Sequence, residues 1–434
     1  MSKTASVAAA APATDAPALQ PAGYQALLTG LLSLNFGLVL FDRNALNFLM
    51  PFVQPELGLD NTQVGILTGA LSLTWAVAAL GISAIVDRHA SRKQLLVLCT
   101  LAFSACSFGS GLATSFAMLL AARLLMGLAE GGIMPVSQAL IASEVAPRHR
   151  GLAMGVAQGF GSSLMGSFVA PVVLVAFATA FGWRHAFFLA GVPGVLVALV
   201  LAWTVRPPVR LASPSSPADG RAPASRGSAG FLDVLAEPNV LRCVVLGVLL
   251  VSYLVVTWAF LPLYLTQARG YDPTTMSWLM GALGISATIA STGVPALSDR
   301  IGRRPLMIGS AVIGALLPLA ALFFGGSAWL LAALFFVGWS VTGAFPLFMA
   351  TVPSESVAPH RIPLALGLCM GISEILGGVL SPVIAGIAAD RYGLAAPVWM
   401  LLGLTLVGAA VASGIRETAP CRIPSALPPT EPRA

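Results

Sequence analysis

Apolar residues in this chain of 434 residues neither alternate nor mark one helical face; they run on in long blocks. A block of about 20 apolar residues is what a helix needs to cross the hydrocarbon core of a bilayer. The blocks predict twelve membrane helices near 24–50, 63–86, 94–114, 116–142, 151–178, 184–204, 240–266, 274–297, 305–325, 328–352, 363–388 and 395–414. Inside lipid every backbone polar group must be satisfied within the protein. The expected fold class is therefore an all-α membrane protein, arranged as two six-helix bundles.

Composition agrees with the pattern. The chain is 57% hydrophobic and only 9% charged, with a mean hydropathy of +0.87, outside soluble-protein usage. Of its 23 Lys and Arg, all but Arg43, Arg123, Arg184, Arg269 and Arg391 fall in segments on one side of the predicted helices. The positive-inside rule then places both termini in the cytoplasm. The same loops account for the net charge of +6, so nucleic acid is not an expected partner. The expected divisions are a disordered cytoplasmic tail at 1–22, a bundle at 23–205, a cytoplasmic linker at 206–238, a second bundle at 239–416 and a tail at 417–434. The linker is read from a run rich in Pro, Ser, Ala, Gly and Arg after Arg206.

Against this apolar background a few ions stand out. Asp42 and Arg43 lie in the first predicted helix, and Arg123 and Glu130 in the fourth. Ions are costly in a membrane interior and mark ion or substrate pathways. A carboxylate that can take a proton and a guanidinium that cannot lose one are the parts needed to couple a proton to an organic anion. Adjacent helical residues point about 100° apart, so Arg43 is expected in a central cavity and Asp42 against a neighbouring helix. Arg123 and Glu130, seven residues apart, share one helix face.

The chain also repeats itself. Asp87-Arg88 recurs as Asp299-Arg300, and Val145-Ala146-Pro147 as Val357-Ala358-Pro359, both at an offset of 212 residues. Shifted by 212, Asp42, Arg43 and Glu130 become Leu254, Val255 and Thr342, so the repeated framework does not need these charges. Two parallel repeats imply a site between the halves and a rocking cycle.

The loop Asp87-Arg88-His89-Ala90-Ser91-Arg92-Lys93 resembles the D-R-x-G-x-R-R/K signature of the major facilitator superfamily, with Ala90 in the glycine place. Asp299-Arg300-Ile301-Gly302-Arg303-Arg304 matches it more fully. The resemblance implies gating or structural roles for Asp87, Arg88, Arg92, Asp299, Arg300, Arg303 and Arg304, pairing across the halves or with helix ends. Arg123 is grouped with them as a structural ion-pair partner.

A narrower resemblance, to the anion:cation symporter branch, rests on three patterns. They are Asp42-Arg43 followed by Leu46, Arg123 with Gly127 and Glu130, and Gly371 with Glu374, Gly377 and Gly378. It implies that Arg43 binds substrate carboxylate and that Asp42 and Glu130 carry protons. Gln158 sits where that branch places a polar substrate contact. Asn47, Trp258, Tyr264, Trp339 and Glu374 complete the candidate substrate set, the aromatic members hinting at a ring. The Asp-Arg and Gly-Glu features are shared with spinster-like lipid carriers.

The expected function is proton-coupled symport of a small organic anion. Its alternatives are proton-coupled efflux of drugs or metabolites and spinster-like lipid transport. An enzyme is not expected: His89, His149, His185 and His360 lie far apart at loops or membrane edges, and Cys99, Cys106, Cys243, Cys369 and Cys421 show no metal-ligand or redox spacing. No cofactor is expected beyond the proton as coupling ion. The expected setting is a monomer, multi-pass in the lipid bilayer of a bacterial inner membrane.

Overall fold

The computed structural model describes residues 21–86, 92–157, 161–205, 228–419 and 421–422. Among these the chain is helical, without strands, and twelve helices are long and apolar enough to span a membrane. In the first half they are Ala22–Leu57, Asn61–Ala79, Arg92–Gly111, Phe116–Glu144, Leu164–Phe181 and Trp183–Thr204. In the second they are Pro238–Ala268, Pro273–Ile301, Arg303–Phe323, Ala328–Ser356, Pro359–Tyr392 and Ala395–Ser413.

The 212-residue offset reappears in the helix limits. Phe116–Glu144 shifted by 212 gives 328–356, the limits of the tenth helix. A π-helical stretch at Ser162–Val169 in the fifth helix begins 212 residues before the one at Glu374–Leu380 in the eleventh. Such i→i+5 stretches are uncommon and gather at functional sites.

The first helix runs past its expected end near 50, through Pro51 and Pro55. It stops at Gly58, whose φ of 62° lets the Leu59 N–H return to the Gln54 carbonyl at 3.0 Å. Val53 and Gln54 in this extension are buried, so tertiary packing holds the helix where proline would loosen it. The expected linker 206–238 also contains a short helix, Ser228–Leu235, packed against the seventh and eleventh helices.

The halves meet where glycine removes the side chain. A Cβ on Gly65 would strike the Pro382 carbonyl, and one on Gly69 would come 2.6 Å from the Val379 carbonyl, so the second and eleventh helices nearly touch. Gly284 does the same for the eighth helix against Ser167 in the fifth. All cross-half hydrogen bonds between described residues lie at the end remote from residues 302–304, here termed the distal end. There Gln267 donates to Gln54 at 3.0 Å.

The Asp390 carboxylate receives the Asn61 and Thr62 backbone N–H groups, both at 2.9 Å, with the Asn61 amide at 2.9 Å and the Thr62 hydroxyl at 2.6 Å. Asp60 takes the next N–H, from Gln63, at 2.6 Å. The first turn of the second helix is thus capped jointly by its own half and by the other. At the opposite, proximal end the glycines Gly81, Gly155, Gly293, Gly367 and Gly371 face open space.

The proximal end of the second half is tied internally. Arg303 donates to Ser298 and Asp299, each at 2.5 Å, and to Glu355 at 3.2 Å. Glu417, beyond the twelfth helix, accepts the Arg303 and Arg304 backbone N–H groups at 2.8 and 3.1 Å. Burial pushes the Glu417 carboxyl up, but these and neighbouring N–H donors outweigh it and hold it below the usual range. Asp299 and Arg303 therefore pair within their own half rather than across the interface. Arg300 and Arg304 are exposed, and Arg92 reaches the Ala139 carbonyl at 3.2 Å. Asp87 and Arg88 lie outside the described residues.

Replacing Asp390 with Asn removes the charge from four hydrogen bonds at the distal seal. Charge-assisted bonds are each worth about 1.5–3 kcal/mol, so Asp390→Asn is expected to loosen this end. Maleimide labelling of a cysteine placed at Gln267 should rise severalfold. Unchanged labelling would mean that the glycine contacts alone hold the seal.

Candidate functional site

Midway along the interface lies a cavity of about 320 Å³. The first half lines it with Arg43, Asn44, Asn47, Thr68, Ser72 and Ser167, together with leucines of the first two helices. The second half contributes Val251, Leu254, Val255, Trp258, Phe345 and Glu374. A larger hollow of about 520 Å³ sits at the distal end, but no charged side chain lines it.

Arg43 is the only cationic side chain lining the central cavity among the described residues. Its Nη2 donates to Ser72 Oγ at 3.3 Å, and its guanidinium lies 5.3 Å from the centre of the Trp75 ring. A hydroxyl and an aromatic face position the fork without neutralising it. Glu374 enters from the other half at the head of its π-helical stretch. A Cβ on Gly378 would come 2.9 Å from Glu374 Oε2 and 3.8 Å from Ser72 Oγ, so the carboxylate and the residue that holds Arg43 crowd the same wall.

Behind this wall, wholly within the first half, lies a second group. Asp42 is 0% exposed, Arg123 1% and Glu130 1%, and none of them lines the cavity. Arg123 Nη1 donates to the backbone carbonyl of Arg43 at 3.2 Å, and its guanidinium lies 5.8 Å from the Phe187 ring centre. Both carboxyl groups act on Arg123 electrostatically. Yet among the described residues the ion pairs within 4.0 Å are Arg184–Glu56, Arg303–Asp299 and Arg303–Glu355, all away from this group. Both Glu130 oxygens, Asp42 Oδ2, and Arg123 Nε and Nη2 have no hydrogen-bond partner. Buried polar atoms without partners are rare, and each calls for an explanation.

Ser107 ties Asp42 to the sixth helix. Its Oγ lies 2.7 Å from Asp42 Oδ1 and 3.0 Å from the Phe187 carbonyl oxygen. A hydroxyl carries one hydrogen, so it cannot serve two acceptors fully. Its one hydrogen is therefore divided between the Asp42 carboxyl and the Phe187 carbonyl.

The expected residues thus fall into two layers. Arg43, Asn47, Trp258 and Glu374 line the cavity, and Asp42 turns toward the third helix as its 100° offset from Arg43 predicts. Two expected contacts stand elsewhere. Trp339 is 1% exposed and backs Trp258, with ring centroids 5.3 Å apart, rather than reaching the cavity. Tyr264 is buried in a π-helical stretch near the distal end. Both helices are apolar on every side, so their aromatic residues carry no facing signal. Arg123, expected as a structural ion-pair partner, is buried in the first half, where its guanidinium rests on the Arg43 carbonyl and the Phe187 ring rather than in an ion pair within 4.0 Å. Gln158 is outside the described residues. Thr68, Ser72 and Ser167 were not expected; small hydroxyl residues in apolar helices look like ordinary packing until the halves are brought together.

Ser107→Ala removes the hydrogen bond to Asp42 and leaves the buried Asp42 Oδ1 without its partner. Such a loss costs about 1–3 kcal/mol, which thermal unfolding in detergent should record as a lower midpoint. A midpoint equal to wild type would mean that the hydroxyl is not the partner of Asp42.

Comparison with known proteins places this architecture. The family described as the Major Facilitator Superfamily matches residues 32–264 and 255–429. A probable 4-methylmuconolactone transporter of Cupriavidus pinatubonensis is 31% identical, over 82% of each chain. A probable sulfoacetate transporter of Cupriavidus necator is 26% identical, over 89% of this chain and 92% of its own. Among solved structures, an inward-facing, unoccupied bacterial homologue of the human lysosomal transporter Spinster aligns with a TM-score of 0.72 at 20% identity. That alignment covers 91% of this chain and 95% of the other.

Proposed function

Because the chain belongs to the Major Facilitator Superfamily, and is thus a multi-pass transporter of the cell membrane, we propose that it takes up a small organic anion together with protons by alternating access. The observation that carries this reading is the placement of Arg43. It is the single cation among the described residues lining a cavity between two halves, and its backbone carbonyl accepts a hydrogen bond from Arg123, which is buried in the same half as Asp42 and Glu130. The relatives named as carriers of methylmuconolactone and sulfoacetate support an organic anion as substrate.

In this reading Arg43 receives the substrate carboxylate, for which a guanidinium offers a two-pronged fit. Asp42 and Glu130 hold the protons. With both carboxyl groups neutral, Arg123 keeps its charge and draws on the Arg43 carbonyl and the Phe187 ring. Releasing a proton from either carboxyl gives Arg123 a partner and changes the tension on the Arg43 backbone. With the termini taken as cytoplasmic, the distal end faces outward, and its hydrogen bonds between the halves support a state closed on that side. Substrate binding from outside requires the Asp390 cap and the Gln54–Gln267 bond to separate.

Two substitutions distinguish the roles. In proteoliposomes, Glu130→Gln is expected to abolish accumulation of a labelled carboxylate under a pH gradient while leaving carboxylate exchange largely intact. Loss of both from a correctly folded variant would deny Glu130 a specific proton role. Arg43→Lys keeps the charge but not the fork and should weaken uptake and exchange together by tenfold or more. Wild-type exchange in Arg43→Lys would remove Arg43 from the binding site.

A further inference from the structure

We propose that the central cavity selects a ring-bearing monocarboxylate poor in hydroxyl groups, a narrower class than organic anions at large. The inference rests on reading this cavity as the transport site. Volume sets the first limit. About 320 Å³ lies near the bottom of the 300–1,000 Å³ range of ligand pockets, so the substrate is small.

Charge sets the second. One guanidinium and one carboxylate line the cavity, and Glu374 stands on the wall where Ser72 holds Arg43. A single carboxylate on the substrate finds Arg43. A second one meets Glu374 or an apolar wall, and like charges brought together in a partly dry site repel strongly.

Hydrogen-bonding capacity sets the third. Asn44 already spends its amide nitrogen on the Gly166 carbonyl at 3.0 Å, and the Thr68 hydroxyl is spent on the Val64 carbonyl at 3.1 Å. The polar groups with capacity left, Asn47, Ser72, Ser167 and the rest of the Asn44 amide, all lie on the first-half wall, whereas the second half offers Val251, Leu254, Val255, Trp258 and Phe345, on which a row of sugar-acid hydroxyls finds no partner. Each buried hydroxyl left unpaired lowers affinity by roughly tenfold. The walls suit a flat apolar ring instead. Trp258 is fixed edge-on between Phe48, at 5.6 Å, and Trp339, at 5.3 Å, and Phe345 lines the cavity beside it. A ring wall immobilised before binding loses little freedom when a substrate ring packs on it.

The test is binding to the purified full-length chain in detergent, by calorimetry, with four probes. These are 3-phenylpropionate, glucuronate, phthalate and succinate, which separate ring from hydroxyls and one charge from two. The expected order is 3-phenylpropionate at least tenfold tighter than the other three, with Glu374→Gln improving phthalate at least tenfold. Glucuronate, phthalate or succinate binding as well as 3-phenylpropionate would overturn the inference while leaving an organic-anion carrier in place. No binding by any of the four, to protein with a cooperative unfolding transition, would remove the organic-anion reading and the inference with it. The wild-type ranking decides the matter even if Glu374→Gln fails to fold.

Discussion

An ion held in an apolar interior must find an opposite charge, a set of hydrogen bonds or a proton. The first half of this protein buries two carboxyl groups and an arginine and brings none of them into an ion pair within 4.0 Å. In the proposed reading, protons on the two carboxyl groups meet that requirement. The helices around the three groups are shaped accordingly. Ser107 supplies a hydroxyl to Asp42, and the Arg43 carbonyl and Phe187 ring supply a neutral seat for Arg123. Where Gly127 faces Thr74 and Leu71, and Gly131 faces Trp75 and Ala78, the second and fourth helices close tightly around Glu130. The second half needs none of this, and the corresponding positions there are Leu254, Val255 and Thr342.

Most of the fold was legible because lipid simplifies the rules. Uninterrupted apolar length marks a helix whatever its neighbours are, and the duplicated loop marks where one half begins to echo the other. The π-helical stretches at Ser162–Val169 and Glu374–Leu380 were not legible. An i→i+5 turn has no composition of its own; it forms where packing rewards it. The extension of the first helix through Pro51 and Pro55 was missed for a related reason, since buried packing outweighed a local helix breaker.

At the site, sequence revealed which residues were anomalous but not always where they point. Asp42, Arg43 and Glu130 stand out because charge is rare in this chain. Their division into a cavity layer and a buried layer followed for Asp42 and Arg43 from helical geometry alone. Aromatic residues gave no such lever. Trp258 and Trp339 look alike in sequence, yet one meets the cavity and the other supports it. Asp390 and Asn61 are 329 positions apart, and nothing local to either foretells their contact. Only the approach of two helices made possible by Gly65 and Gly386 brings them together.

That contact has a consequence for the ease of motion. The distal seal is also a helix cap, so separating the halves uncovers N–H groups, an amide and a hydroxyl rather than a greasy face. Water arriving as the gap opens can bond to each of these groups and to the released carboxylate, which recovers much of what the seal gives up. A seam of leucines would resist wetting until it was fully open. A polar seam can instead unzip bond by bond, which lets a membrane protein hold two arrangements of the same helices at similar cost.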